Sequence, residues 1–286
     1  MTQTPEQTPE RLADLHPIRV LDVDGRPAIR YLDTGEPGWP AVVFFGGLGT
    51  SAGAFSLTEF ARVQRRRLRL RFVSVERNGF GDTPFMPGIG FQETVDDVLT
   101  VLTRLGIKRF SVVAISGGGP YAAWLLERVP ERIVSVHLAA AAADGELLGQ
   151  GAAGELLGNV EAIAADPEGF WDYPPGSPVQ AIPGFAEACR AEGRRSMGDP
   201  RRAAAALRHE VELLSTTTLP YLGGLSARVY MYWGGRDELV GMEHARTWQA
   251  ALGPNVVLRC FEESGHDVQY VHWKEILNDI GRGVQV

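Results

Sequence analysis

Short apolar runs alternate along the chain with longer amphipathic stretches, the pattern of a mostly parallel sheet with helices on both faces. Ile18–Val23 and Ala28–Asp33 flank the turn Asp24-Gly25-Arg26-Pro27 and read as an opening antiparallel hairpin. Ala41–Phe45 is a buried strand that runs into a glycine-rich turn. Arg71–Glu76 is the next strand and ends at Asn78-Gly79-Phe80-Gly81. Val95, Val98, Leu99 and Leu102 follow helical spacing, and Gly106 stands where a helix stop belongs. Phe110–Ile115 is another apolar strand, followed by Ser116-Gly117-Gly118-Gly119-Pro120 and an apolar helix that starts near Pro120 and stops before Pro130. Proline suits a first helical turn, where its missing N–H has no partner to lose. Ile133–Ala139, Arg228–Trp233 and Val256–Phe261 supply further strands. Trp273, Ile276, Leu277 and Ile280 mark a closing amphipathic helix.

The rhythm changes between Asp144 and Gly224. Glycine, alanine and proline are frequent there, no strand pattern emerges, and Arg201–Leu214 is the one firm helix. The echo between Gly145-Glu146-Leu147-Leu148-Gly149 and Gly154-Glu155-Leu156-Leu157-Gly158 is too short for a repeat architecture. The expected organisation is a disordered tail over 1–14, an α/β core over 15–143 and 225–286, and a helical cap over 144–224.

Composition narrows the function classes. A chain of 286 residues with 44% hydrophobic and 22% charged content fits one large soluble α/β domain with a modest insertion. The net charge of -7 argues against nucleic acid as a partner, because phosphate binding needs clustered Lys and Arg. A basic run does occur at Arg62, Arg65, Arg66, Arg67, Arg69 and Arg71. Its alternation with Leu68, Leu70 and Phe72 reads as a helix end passing into a strand with one solvated face. Cys189 and Cys260, the only cysteines, imply no disulfide framework and read as packing residues of a reducing compartment. The polar, proline-containing stretch to about Glu10 lacks the apolar core of a signal peptide, and no run of apolar residues reaches membrane-spanning length. A cytoplasmic protein without a membrane association is expected, and the pattern is silent on oligomeric state.

The strongest chemical signal is Ala114-Ile115-Ser116-Gly117-Gly118 between a strand and a helix. A sharp turn that exposes a serine needs small residues two before and two after it, because the backbone passes close to itself there. Ala114 stands where glycine is usual and still meets that demand. The turn sets the serine oxygen at the positive end of a helix, where the next N–H can receive a developing oxyanion. The competing reading is a phosphate-cradling βα turn. It is disfavoured because no G-x-G-x-x-G follows the first strand and no Walker lysine follows Gly119.

With this turn in that setting, the chain from Ile18 onward resembles the α/β-hydrolase family. The resemblance implies a nucleophile, an acid after a late strand and a histidine after the last strand. Tyr232-Trp233-Gly234-Gly235-Arg236-Asp237 and Ser264-Gly265-His266 occupy those places, which makes Ser116, Asp237 and His266 the expected catalytic set. A serine hydroxyl is a poor nucleophile until a base takes its proton, and the imidazole needs a carboxylate to hold its tautomer. Asp144 is the rival acid, since it follows the strand before the insertion, and a capping role for Asp237 on the helix near Met242 is its structural alternative. His272 is the rival base. His16, His137, His209 and His244 sit at the N-terminus, in a strand or on helices.

The family also implies a main-chain oxyanion hole formed by Gly117 and, in Gly46-Gly47-Leu48-Gly49-Thr50, by Leu48. Glycine stands at 46 where a bracing histidine is common, which leaves the rigidity of that turn open. No metal site is expected, because His209-Glu210-Val211-Glu212-Leu213 begins like a zinc helix but lacks the second histidine. No cofactor is needed. Phe170, Trp171 and Tyr173 form an aromatic group read first as the cap's own core and second as a substrate wall, with Trp171 and Tyr173 the pocket candidates. The expected partner is a small-molecule substrate and the expected reaction is hydrolysis of a small or medium ester. Lactone, diketone C–C, perhydrolase and lyase chemistry use the same residues in this family, whereas its dehalogenases and epoxide hydrolases use aspartate in place of Ser116. The alternative of another class is a non-catalytic binding protein, against which a complete Ser-Asp-His set weighs.

Overall fold

The computed structural model describes Leu12, residues 15–171, Tyr173 and residues 176–283; the tail at 1–14 lies outside the described residues apart from Leu12. The strands are β1 (Ile18–Leu21), β2 (Ile29–Asp33), β3 (Ala41–Phe45), β4 (Arg71–Val75), β5 (Phe110–Ile115), β6 (Ile133–Ala139), β7 (Arg228–Gly234) and β8 (Val256–Phe261). They form one sheet in the order β1-β2-β4-β3-β5-β6-β7-β8. β1 pairs antiparallel with β2 and β2 with β4, while every pairing from β4 through β8 is parallel. The fold is thus the α/β-hydrolase type of mostly parallel sheet. The chain leaves β3 in one direction for β4 and returns on the other side for β5. This switch point opens a crevice at the carboxyl ends of β3 and β5.

Strands buried on both faces read as continuous apolar runs, and β3, β4 and β5 are buried at every position. Alternate residues feed two cores. Val43, Phe45, Val112 and Ala114 pack with Val98, Leu102, Leu125 and Trp248. Val42, Phe44 and Val113 pack with Phe55, Trp273, Ile276 and Ile280 from the other side. Trp273 is 1% exposed, so its truncation to alanine would remove about 3–5 kcal/mol of packing and transfer energy.

A helix over Arg62–Arg67 does pass into β4, and Arg66, Arg67 and Arg69 are exposed, but the basic run departs from its expected solvated face at two residues. β4 lies inside the sheet, and Arg65 and Arg71 are buried. A charge leaves water only when it is paired. Arg71 accordingly donates to both oxygens of Asp33 at 2.8 and 2.9 Å, and Arg65 Nε donates to Glu59 at 2.8 Å. Burial alone would push the Asp33 carboxyl up, but the bonds from Arg71 and the Gly35 N–H hold it below its ordinary value. Of the two cysteines, Cys189 is buried and Cys260 is exposed, so only the first packs as expected.

Between β6 and β7 the described residues form helices and no strand: Gly145–Leu148, Gly151–Leu157, Val160–Ala165, Pro167–Phe170, Phe185–Met197 and Pro200–Ser215. Pro200–Ser215 starts from Asp199, whose carboxylate accepts the Arg201 and Arg202 N–H groups. Phe185–Met197 is a second long helix that periodicity does not show. Its buried side combines Phe185, Ala188 and Cys189 with Glu192 and Gly193, so apolar spacing is broken by a carboxylate and a glycine.

Candidate active site

Ser116 directly follows β5 in a left-handed conformation at φ 51°, a region where an L-residue is strained. Its carbonyl is held from both sides, accepting the Ala142 N–H at 2.8 Å and the Gly119 N–H of the following helix Gly119–Arg128. Such a turn excludes side chains. A Cβ on Gly118 would stand 2.6 Å from Phe45 O, and one on Gly119 only 2.1 Å from Ala142 O.

Asp237 and His266 come from turns that interlock past β7 and β8. Gly235 N–H donates to Phe261 O and Arg236 N–H to Ser264 O, each at 2.9 Å. A Cβ on Gly234 would meet Ser264 O and Gly265 O at 2.4 Å, which explains the small residues before Asp237. His266 Nε2 lies 2.9 Å from Ser116 Oγ, and His266 Nδ1 lies 2.8 Å from Asp237 Oδ2. The other Asp237 oxygen accepts the Leu239 and Val240 N–H groups, both at 2.9 Å. The helix Met242–Leu252 begins at Gly241 without a side-chain cap, so Asp237 serves this turn and the imidazole. Asp144 instead caps the helix Gly145–Leu148, accepting Glu146 N–H at 2.8 Å and Leu147 N–H at 3.2 Å. His272 stacks on Phe261 with centroids 3.5 Å apart and meets Ser264 Oγ at 3.1 Å, away from Ser116. Burial holds the neutral imidazole of His137 far down, at a pKa of about 3, inside β6.

The turn after β3 lies beside the serine because Phe45 pairs with Ala114. A Cβ on Gly47 would sit 3.3 Å from Ser116 Cβ, and one on Gly117 only 3.0 Å from Leu48 N. The structure therefore brings Leu48 N, Gly117 and Ser116 together.

A model of the alpha/beta hydrolase fold matches residues 40–272, most of the chain. The chain belongs to the α/β-hydrolase fold family. It is 25% identical over 265 residues to the dihydrolipoyllysine-residue acetyltransferase component of the acetoin cleaving system of Cupriavidus necator, covering 86% of this chain but only 63% of that protein. Among solved structures, a hydrolase from Pseudomonas aeruginosa superposes with TM-score 0.72 at 19% identity, covering 94% of this chain and 98% of its own. A 2-hydroxy-6-oxo-6-phenylhexa-2,4-dienoate hydrolase from a Rhodococcus strain gives TM-score 0.71 at 20% identity, covering 95% and 99%. At these identities the structural likeness speaks to the fold.

In this α/β-hydrolase chain a cavity of about 440 Å³ opens onto Ser116 and His266. Its walls are mainly apolar: Leu148, Leu156, Leu157 and Leu214 from the insertion face Leu239 and Val240 from the loop that carries Asp237. Of the four leucines in the short sequence echo, Leu148, Leu156 and Leu157 thus line the cavity. Trp171 and Tyr173 line the cavity as well, and both pack against one small core that contains Phe185, Cys189 and Tyr270. Trp171 meets Phe170 edge-on at 5.3 Å, while Tyr173 packs on Phe185 and Tyr270 at 5.9 and 6.1 Å. Among the described residues no helix is long and apolar enough to cross a membrane.

Sequence reading missed a set of buried charged groups behind the Leu48 turn. Arg77 follows β4, while Glu192 and Glu210 come from the two long helices of the insertion. Glu210 accepts the Gly49 N–H at 2.8 Å, and Glu192 accepts the Ser51 N–H at 2.7 Å. Burial pushes the Glu192 carboxyl up to about 7. Arg77 Nη1 stands 2.7 Å from Glu210 Oε1 as an ion pair, and its Nη2 donates to Gly47 O and, at 2.7 Å, to Thr50 Oγ1. At Gly46 a Cβ would stand 2.5 Å from Thr50 Oγ1, so the space of any larger side chain is already filled. The one available signal was Glu210 itself, an acid at a position where helix Pro200–Ser215 is otherwise apolar.

Proposed function

We propose that this chain is a serine hydrolase that cleaves small or medium esters through an acyl-enzyme. The observation that carries this reading is the unbroken hydrogen-bonded line from Asp237 through His266 to Ser116, ending at the cavity. Ser116 Oγ attacks the ester carbonyl while His266 Nε2 takes its proton, and Asp237 holds the Nδ1–H tautomer and the imidazolium that forms. The N–H groups of Leu48 and Gly117 receive the oxyanion. The protonated His266 then gives its proton to the leaving alcohol, and in the second half-reaction it activates water to release the acid.

The lining supports a neutral, apolar substrate. Among the described lining residues the cation is Arg236, which is two-thirds exposed and already paired with Glu263. A substrate carrying its own carboxylate would find no buried cation in that set. The insertion over 144–224 acts in this reading as a cap, which shapes the cavity and excludes water.

The test is a fluorophosphonate probe with peptide mapping, together with a panel of p-nitrophenyl esters, lactones and diketones. Stoichiometric labelling at Ser116 is expected, with ester turnover that falls by several orders of magnitude in a folded Ser116→Ala variant. A protein that binds the esters without labelling or turnover would be a receptor. Undiminished hydrolysis by Ser116→Ala would remove Ser116 from the mechanism.

A further inference from the structure

We propose that Arg77 and Glu210 are positioning residues for the oxyanion donor: together they clamp the two peptide planes that flank Leu48. The proposal rests on the serine-hydrolase reading above and concerns how its oxyanion turn is held.

A trans peptide is rigid and planar, so the direction of its C=O sets the direction of its N–H. The plane before Leu48 carries Gly47 C=O and Leu48 N–H. Gly47 O accepts from Arg77 Nη2 and, at 2.9 Å, from Thr50 Oγ1. The plane after Leu48 carries Leu48 C=O and Gly49 N–H, and that N–H donates to Glu210 at 2.8 Å. Gly49 adopts φ 69°, and a Cβ there would press on Leu207 at 3.1 Å, so the helix bearing Glu210 packs directly on the turn. Arg77 and Glu210 meet each other at 2.7 Å, and Tyr121 Oη donates to Glu210 Oε1 at 3.1 Å. The pairing also neutralises the carboxylate, which would otherwise repel an oxyanion developing nearby.

The clamp has one jaw in the core and one in the insertion. Glu210 stands 161 residues from the glycine it holds, so the seating of helix Pro200–Ser215 is coupled to the aim of the Leu48 N–H. A bracing side chain at position 46 is unnecessary in this arrangement, because the carbonyl of 47 and the amide of 49 are gripped from outside the turn.

The experiment compares Glu210→Leu, which has no acceptor for the Gly49 N–H, and Glu210→Asp with the parent protein on p-nitrophenyl acetate and against an alkyl boronic acid, whose serine adduct places one oxygen in the oxyanion hole. Loss of a whole oxyanion donor costs roughly 10²–10³ in kcat, and a misaimed donor should forfeit about 10–100-fold of that. The expected result is such a fall in kcat with KM within about twofold. Boronate affinity should fall in step with kcat/KM. Glu210→Asp keeps a negative charge near Arg77 but, one methylene shorter, draws the carboxylate back from Gly49, so it carries the test if the leucine variant does not fold. Parent-like kcat in either folded variant, or a lowered melting temperature with kcat preserved, overturns the proposal. Failure of the parent protein to label at Ser116 would instead overturn the serine-hydrolase reading on which it rests.

Discussion

Replacing Asp237 by asparagine tests the acid and the tautomer argument at once. The structure settles how the new amide would sit. One carboxylate oxygen accepts both the Leu239 and Val240 N–H groups at 2.9 Å, so the carbonyl oxygen of asparagine belongs there. Its NH₂ then faces His266 Nδ1 at the 2.8 Å position now held by Asp237 Oδ2. A donor in that place stabilises the tautomer with Nδ1 bare and Nε2 protonated. The Nε2–H then points at Ser116 Oγ, 2.9 Å away, and cannot take its proton. The same substitution in a comparable triad costs about 10⁴ in kcat, or about 5 kcal/mol of transition-state stabilisation. The turn keeps both its amide bonds, so the melting temperature should change little. The assay is p-nitrophenyl acetate hydrolysis with a parallel thermal melt, and Asp144→Asn as comparison. Asp144 only caps a four-residue helix, and asparagine caps about as well as aspartate, so Asp144→Asn should leave both stability and kcat nearly unchanged. A large kcat loss in Asp144→Asn with near-normal turnover in Asp237→Asn would refute the reasoning.

Three further outcomes are expected. Trp171→Ala should redistribute kcat/KM among esters of different length by about 1–3 kcal/mol, with the smallest ester least affected. Tyr173→Ala should add a fall in melting temperature, because Tyr173 also packs on Phe185 and Tyr270; an equal loss on every ester with unchanged stability would contradict a wall role. Glu192 is raised from 4.5 to about 7 by burial, against the bonds from Ser51 and the attraction of Arg195, with Glu76 adding repulsion. The folded state therefore holds a proton that the unfolded chain releases, and stability present below pH 4.5 is lost as the pH rises through 7, by up to about 3 kcal/mol. The melting temperature of Glu192→Gln relative to the parent should consequently rise between pH 5 and 8, and parallel curves for the two proteins would show that Glu192 does not titrate in that window.

The strands were legible in the sequence because the central β3 and β5 are short, almost wholly apolar runs that each lead into a glycine-rich turn, and burial on both faces demands that pattern. The turn at Ser116 was legible for a similarly local reason: close backbone approach forces small residues at fixed offsets, and Gly118 and Gly119 meet main-chain oxygens where a side chain would stand. Two acids, Asp144 and Asp237, nevertheless had equally local claims, each in a loop after a strand. The Gly234-Gly235-Arg236-Asp237 turn already favoured Asp237, and the packing of that turn against the His266 turn, a contact between strands β7 and β8, sets its carboxylate beside the imidazole. The arginine run was misread only at Arg65 and Arg71, because periodicity does not know which strand is central, and a buried arginine differs from a solvated one only by its distant partners Asp33 and Glu59. The clamp on Leu48 was invisible for the same reason in its strongest form. Arg77 and Glu192 are unremarkable charges along the chain and Glu210 stands out only as an acid on an apolar helix face; the three acquire meaning only when the sheet's switch point and the inserted helices bring them to one turn. Local pattern reports what each segment must bury; which buried charges meet is decided by the closure of the tertiary structure.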